Sequence, residues 1–406
     1  MKGGNVYSLM AMLANAFLGI LISVSCAKNT VKEPDVVDQV DTTAAKGLTI
    51  EWDISTLQRL APAGNRHLSY AGYPRVKRLA DGRALAVYEA DGNIELIMSS
   101  DEALSWTDPL ILFRKHDVVT DKGTTSVNTA NPELVMLENG WLVAACNYRP
   151  SRDEYTPFSI AISRSEDGGY TWSEPEVVFE AEPRFSDGCW EPSFLQLPDG
   201  TLQLYFANEK PYTASSEQEI SVLESRSNGL TWEREPRTVS FRQGRRDGMP
   251  VPLLVGNEIL VAIEDNKVGQ FKPYIVRSSV ENNWVDPVYG ASPLREYALT
   301  TSLPDDVYAG APYLTRLPSG EILLSYQTTR GRTNDWEKST MEVAIGDANG
   351  RNFRINSQPF PVSIEREAKW NAIAVWDQNT VVATSASNME GGSIGAWMIL
   401  GHIKQN

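Results

Sequence analysis

Two glutamates end apolar runs in this chain. Glu191 lies in Cys189-Trp-Glu-Pro-Ser-Phe-Leu195, and Glu264 closes Ile259-Leu-Val-Ala-Ile-Glu264. A carboxylate in such a setting is costly unless it is paired or functional. Two of them on facing positions are what glycoside hydrolysis needs. One protonates the leaving oxygen, and the other attacks the anomeric carbon or activates water. Around them the sequence offers aromatic residues that could stack on a sugar ring: Tyr73, Trp190, Tyr308 and Trp370. It also offers polar groups that could read hydroxyls or a carboxylate: Arg75, Asn131, Arg149, Asp187, Arg246, Asp247 and Asn371. The chain has 3 histidines and 3 cysteines, with no Cys/His cluster. A zinc site and a Ser-His-Asp triad are therefore not expected, and neither is any metal or cofactor.

These residues acquire positions from a phrase that recurs six times, about 60 residues apart. It reads Tyr73-Pro74-Arg75-Val76, then Asn131-Pro132-Glu133-Leu134, then Glu191-Pro192-Ser193-Phe194. Met249-Pro250-Val251-Pro252 and Ala311-Pro312-Tyr313-Leu314 follow, with Asn371-Ala372-Ile373-Ala374 as the worn sixth copy. Eight residues beyond each proline place stands a turn position: Gly82, Gly140, Gly200, Glu258, Gly320 and Thr380. Each copy is a β-rich run, a polar turn and a second β-rich run, which is a hairpin signal.

A second motif follows the first five hairpins. Ser165-Glu-Asp167-Gly-Gly169-Tyr-Thr171-Trp172 is its fullest form. Ser99 to Trp106 and Ser225 to Trp232 are close variants, and 278–284 and 348–353 are remnants. Its Asp can cap backbone N–H groups, its Gly can take positive φ, and its Trp can pack between sheets. Four strands per repeat and six repeats predict an all-β fold, a six-bladed β-propeller. First strands start, and second strands end, on one face around the axis. The Ser-x-Asp turns fall on the other. The first face is the expected site, with Glu191 and Glu264 on adjacent blades.

The chain has 406 residues and a net charge of −15, which argues against nucleic acid and anionic membrane as partners. Residues 1–26 read as a bacterial lipoprotein signal: Lys2, an apolar stretch from Leu9 to Val24, and small residues before Cys26, the expected lipidation site. An ordinary signal peptide is the alternative. Residues 27–48 read as a flexible tether and 49–406 as the propeller domain. The expected location is the cell envelope, with membrane contact only through the anchor, a monomeric state and an oligo- or polysaccharide as partner. Cys146 and Cys189 fall on the same face of neighbouring blades. They could form a bridge or remain two buried thiols.

The Ser-x-Asp turns resemble the Asp-boxes of the sialidase superfamily. With the six blades and Trp190-Glu191-Pro192, the chain looks most like glycoside hydrolase family 93. That resemblance implies a retaining exo-α-1,5-L-arabinanase releasing arabinobiose, with Glu191 as acid/base and Glu264 as nucleophile. A sialidase is the alternative, and it fits less well. Arg75 is shifted by one residue from the arginine of the sialidase phrase, Lys369 to Trp376 contains no tyrosine, and Tyr308-Ala-Gly-Ala-Pro312 offers no arginine for a triad. A glycan-binding propeller without catalysis is the third reading.

Overall fold

The computed structural model describes residues 47–60 and 68–405. The signal segment, Cys26 and all but the last two tether residues lie outside them.

Six antiparallel sheets repeat one plan. Blade I is built from Ala71–Arg78, Ala84–Ala90, Asn93–Ser99 and Leu110–Phe113. Blade II uses Gly123–Met136, Leu142–Pro150, Ser159–Ser165 and Glu176–Glu180, with His116–Thr120 added along its first strand. Blade III uses Cys189–Gln196, Leu202–Asn208, Glu219–Ser225 and Arg237–Phe241, with Val288–Tyr289 added in parallel at its outer edge. Blade IV uses Asp247–Val255, Glu258–Val268, Gln270–Ser279 and Arg295–Tyr297. Blade V uses Ala309–Arg316, Ile322–Thr328, Thr340–Gly346 and Arg354–Ser357. Blade VI combines the two ends of the domain. Ala368–Val375, Thr380–Ser387 and Gly395–Gln405 are completed by Leu48–Arg59 on the outside. The second strands of blades III, V and VI are buried at every residue, because both their faces pack against other strands.

The repeated proline marks a β-bulge. In each first strand the register slips across two residues: 73–74, 131–132, 191–192, 249–250, 311–312 and 370–371. The first residue of each pair has positive φ: Tyr73 49°, Asn131 49°, Glu191 55°, Met249 52°, Ala311 48° and Trp370 53°. No Gly holds these places, so the packing around them overrides the ordinary cost of left-handed backbone. The proline suits the second place because its missing N–H needs no ladder partner.

This register corrects two sequence-based expectations. In the sixth copy Asn371, not Ala372, stands in the proline place, and Asn379, not Thr380, stands at the turn. In the fourth copy Gly256, with φ 59°, makes a two-residue hairpin, and Glu258 already belongs to the second strand. The Ser-x-Asp turns lie between third and fourth strands, as expected. Asp167 accepts the Thr171 N–H at 2.9 Å and its hydroxyl at 2.6 Å, and Ser165 accepts the Gly169 N–H at 2.8 Å. In blade III Ser227 replaces the Asp and still accepts the Thr231 N–H at 2.8 Å.

Bulge residues from opposite blades meet on the axis. Tyr73, Met249, Ala311 and Trp370 form one apolar cluster, with Tyr73 stacked on Trp370. Beneath it the channel is filled by charge. Arg75 pairs with Glu133 at 3.2 Å, and the Tyr313 hydroxyl donates to Glu133 at 3.1 Å from the opposite blade. Cys146 and Cys189 are both free and buried.

Candidate active site

The bulge turns one backbone N–H per blade toward its neighbour, and a side chain from the preceding blade's second strand accepts it. Glu89 accepts the Asn131 N–H at 2.7 Å, and Asn147 accepts that of Glu191 at 2.9 Å. Glu264 accepts the Ala311 N–H at 2.8 Å, and Gln327 accepts that of Trp370 at 2.6 Å. These four residues pair across the ladder with Gly72, Ala130, Gly248 and Gly310 in turn, so they occupy one repeat position. In blades III and VI that position is an alanine, Ala207 and Ala386, which has no side-chain acceptor. In blade III the Glu191 carboxylate takes over and accepts the Met249 N–H at 3.2 Å. This departure from the repeat brings a second carboxylate to the mouth beside Glu264.

Both glutamates are half-buried, and neither belongs to an ion pair among the described residues. Burial pushes the Glu191 carboxyl up to about 7, against the opposing pull of Arg149 and Arg246. Burial, reinforced by the negative charge of Glu191, pushes Glu264 up to about 8. Two carboxyls that interact in this way titrate as a pair rather than singly. A third glutamate, Glu89, is raised by burial as well.

Glycines shape the space around Glu264. A Cβ at Gly248 would stand 3.0 Å from Glu264 Oε1. One at Gly310 would collide with Glu264 Oε2 and the Tyr308 hydroxyl. Tyr308 is fixed by Gln327, whose side-chain N–H donates to its hydroxyl at 2.8 Å. Gln327 thus holds Tyr308 with one end and Trp370 with the other.

On the Glu191 side, the Trp190 indole N–H donates to Glu209 at 2.9 Å, and Glu209 is ion-paired with Arg246. Arg149 lies 4.9 Å from the Trp190 ring centroid and donates to the Asn131 side chain. At the position two residues past the N–H acceptor, the other blades carry Asp91, Glu209, Asn266, Thr329 and Asn388. Each accepts a backbone N–H of its own first strand or the segment entering it. Arg149 is the exception, a donor where the repeat elsewhere places an acceptor. Departures from an otherwise consistent local rule are where function is expected.

The structure therefore gathers Glu191, Glu264, Arg149, Arg246 and Trp370 around one mouth, with Tyr73, Asn131, Trp190 and Tyr308 buried beneath them at 4–6% exposure. Four other candidates are sealed in. Arg75 is 3% exposed and committed to Glu133 in the channel. Asp247 is 0% exposed, with Arg295 at 2.6 Å and the Ser240 hydroxyl at 2.8 Å. Asn371 accepts the Ser325 hydroxyl at 2.7 Å, and Asp187 lies buried in the 3-10 turn Phe185–Asp187. The sequence reading missed Gln327, Glu209 and Trp336. Glu209 and Gln327 were detectable from the second-strand position once the bulge register was known. Trp336 is the one aromatic residue in the polar loop 329–339. No group of His, Cys, Asp and Glu suited to a metal ion occurs among the described residues.

Comparison with known proteins gives the following. Residues 140–266 match a BNR repeat-like domain, a stretch that contains both glutamates. Over 144 residues the chain is 29% identical to a sialidase of Micromonospora viridifaciens, covering 32% of this chain and 22% of that protein. The chain thus spans about a fifth of the length of that relative. Among solved structures it resembles the GH93 α-L-arabinofuranosidase of Fusarium graminearum in complex with arabinobiose. The TM-score is 0.61 at 18% identity, over 87% of this chain and 98% of that one. It also resembles a Penicillium chrysogenum α-L-arabinanase complexed with arabinobiose. Here the TM-score is 0.59 at 19% identity, over 88% and 98%. At such identities the likeness is one of fold. The protein is a six-bladed propeller, residues 140–266 of which match a BNR repeat-like domain.

Proposed function

We propose that this protein is a retaining exo-glycoside hydrolase, with exo-α-1,5-L-arabinanase-like action on the end of an oligo- or polysaccharide. One observation carries the reading. Two unpaired carboxyls from adjoining blades share the mouth, and burial, with the charge of Glu191 acting on Glu264, raises both toward neutral pH. Such a pair holds one proton and one charge between its members in the neutral range; these values favour the proton on Glu264, and the roles that the family 93 resemblance implies are carried by the tautomer with the proton on Glu191.

In this scheme the Glu191 carboxyl gives its proton to the leaving oxygen while Glu264 attacks the anomeric carbon. The Ala311 N–H holds Oε2 of Glu264, and Oε1 lies over the bare α-carbon of Gly248. Glu191, now a carboxylate, then takes a proton from water. That water attacks the glycosyl-enzyme ester and frees Glu264.

A neutral sugar is favoured over a sialic acid. Of the three arginines read as carboxylate binders, Arg75 and Arg246 are already committed to Glu133 and Glu209. The proposal also includes an envelope location through a lipid on Cys26, which palmitate labelling of wild type and Cys26→Ser tests.

The activity test is hydrolysis of linear α-1,5-arabinan beside a fluorogenic sialoside. Arabinobiose release by wild type and its loss in Glu264→Gln is the expected result. Sialoside cleavage would replace this reading with a sialidase. Activity on neither would favour a binding propeller.

A further inference from the structure

Two exposed aromatic side chains stand on loops of blades III and V, at the two ends of the arc that carries Glu191 and Glu264. Phe185 is 57% exposed and lies on the loop that enters blade III. Its ring centroid is 4.9 Å from that of Trp190, the neighbour of Glu191. Trp336 is 41% exposed, on the loop between the second and third strands of blade V. It lies 6.1 Å from Tyr308 and 6.2 Å from Trp370. Tyr308 in turn adjoins Glu264 above Gly310.

A large apolar ring left in water is unfavourable unless something covers it. Flexible loops would let both rings fold down, yet both loops are braced. The Arg332 guanidinium donates to the carbonyls of Lys338, Val362, Ser363 and Arg366, and Asp335 accepts the Glu337 N–H at 3.1 Å. Lys369 lies 4.5 Å from the Trp336 ring centroid and is ion-paired with Glu337 and Glu367. Asp153 accepts the Phe185 N–H at 3.0 Å, and Arg184 is ion-paired with Glu154. The rings are held up at the rim, as preorganised platforms are.

We infer that Phe185 and Trp336 bind sugar rings flanking the scissile bond on its two sides, so that the substrate is a chain crossing the mouth. This rests on the glycosidase reading above. It assigns specificity for chain length to two residues outside the carboxylate pair.

The experiment measures kcat/KM on α-1,5-arabino-oligosaccharides of increasing length, for wild type, Trp336→Ala and Phe185→Ala. Circular dichroism checks that both variants fold. The ratio of kcat/KM for long over short oligosaccharides is expected to fall about two- to tenfold in each variant, the range of one lost ring contact. The loss should appear mainly in KM. Calorimetric binding of the same oligosaccharides to the same three proteins is run in parallel. Binding weakened in both variants without hydrolysis by wild type would refute the glycosidase reading and sustain the platforms. Length ratios and affinities unchanged in the variants, or no binding by wild type, would overturn the inference.

Discussion

Glu264 and Gln327 make the same hydrogen bond one blade apart. Each accepts the N–H of the left-handed bulge residue of the next blade, Ala311 at 2.8 Å and Trp370 at 2.6 Å. The repeat therefore already accommodates glutamine at this position. Glu264→Gln is expected to keep the seam between blades IV and V while removing the charge. Hydrolysis should fall at least about 10³-fold, with circular dichroism and melting behaviour at acid pH unchanged. Retention of activity would show that Glu264 is only a seam residue.

The pair also sets a pH profile. Below the lower of its two values both carboxyls carry protons, and no nucleophile is present. Above the upper value both are ionised, and no acid is present. With Glu191 pushed up to about 7 and Glu264 to about 8, kcat/KM should peak in the neutral range and fall on both sides. Arg149 is the largest influence opposing the rise at Glu191. Arg149→Met is thus expected to move the acid limb to higher pH, and Arg149→Lys to restore part of the shift. An acid limb that stays in place would remove Arg149 from this role.

Stability should carry the same signature. A carboxyl raised on folding makes the native state bind more protons than the unfolded chain. Its stabilising contribution is present below the ordinary glutamate value of 4.5 and is lost as pH rises through the folded value, about 8 for Glu264. Glu264→Gln has no such loss. Its melting temperature should match wild type near pH 4 and exceed it by about 2 °C near pH 9. Equal differences at both pH values would contradict the raised carboxyl.

The channel makes a separate prediction. Glu133 is 4% exposed, pairs with Arg75 at 3.2 Å and accepts the Tyr313 hydroxyl at 3.1 Å. Glu133→Ala leaves a buried guanidinium without its carboxylate. The expected cost is about 3–5 kcal/mol in denaturant unfolding, a loss typical of breaking a buried pair from one side. A cost under about 1 kcal/mol would mean that water replaces the carboxylate as the partner of the guanidinium.

The blades were legible because the proline phrase and the Ser-x-Asp turn recur at fixed spacing, and each has a local physical cause. The site was legible where the repeat breaks, as at Glu191 and Arg149. What misled was the bulge. Side chains alternate along a strand, and the one extra residue of the bulge resets that alternation within every first strand. Glu191, one place before its proline, faces the mouth, whereas Arg75, one place after its own, faces down the channel. Asp247 lies two residues before its bulge and turns into the seam with Arg295. The sixth copy slipped by one residue because Asn371 stands where proline would have marked the register. Trp336 belongs to no repeat, so only its place in three dimensions reveals it.

The pairing of Leu48 with Gln405 and of Ile50 with Ile403 makes blade VI a clasp between the two ends of the domain. Entropy penalises so long a closure only logarithmically, so the clasp is inexpensive at equilibrium. Its effect is on timing. Five blades can form in order as the chain leaves the ribosome, but the arc stays open until the last strand, Gly395–Gln405, has been made. Trp370 sits on the inner strand of that final blade and completes the aromatic wall of the mouth. The candidate site therefore assembles last, in the same event that closes the ring, and a molecule truncated before its final strand would present the two carboxyls without Trp370 beside them in a closed ring.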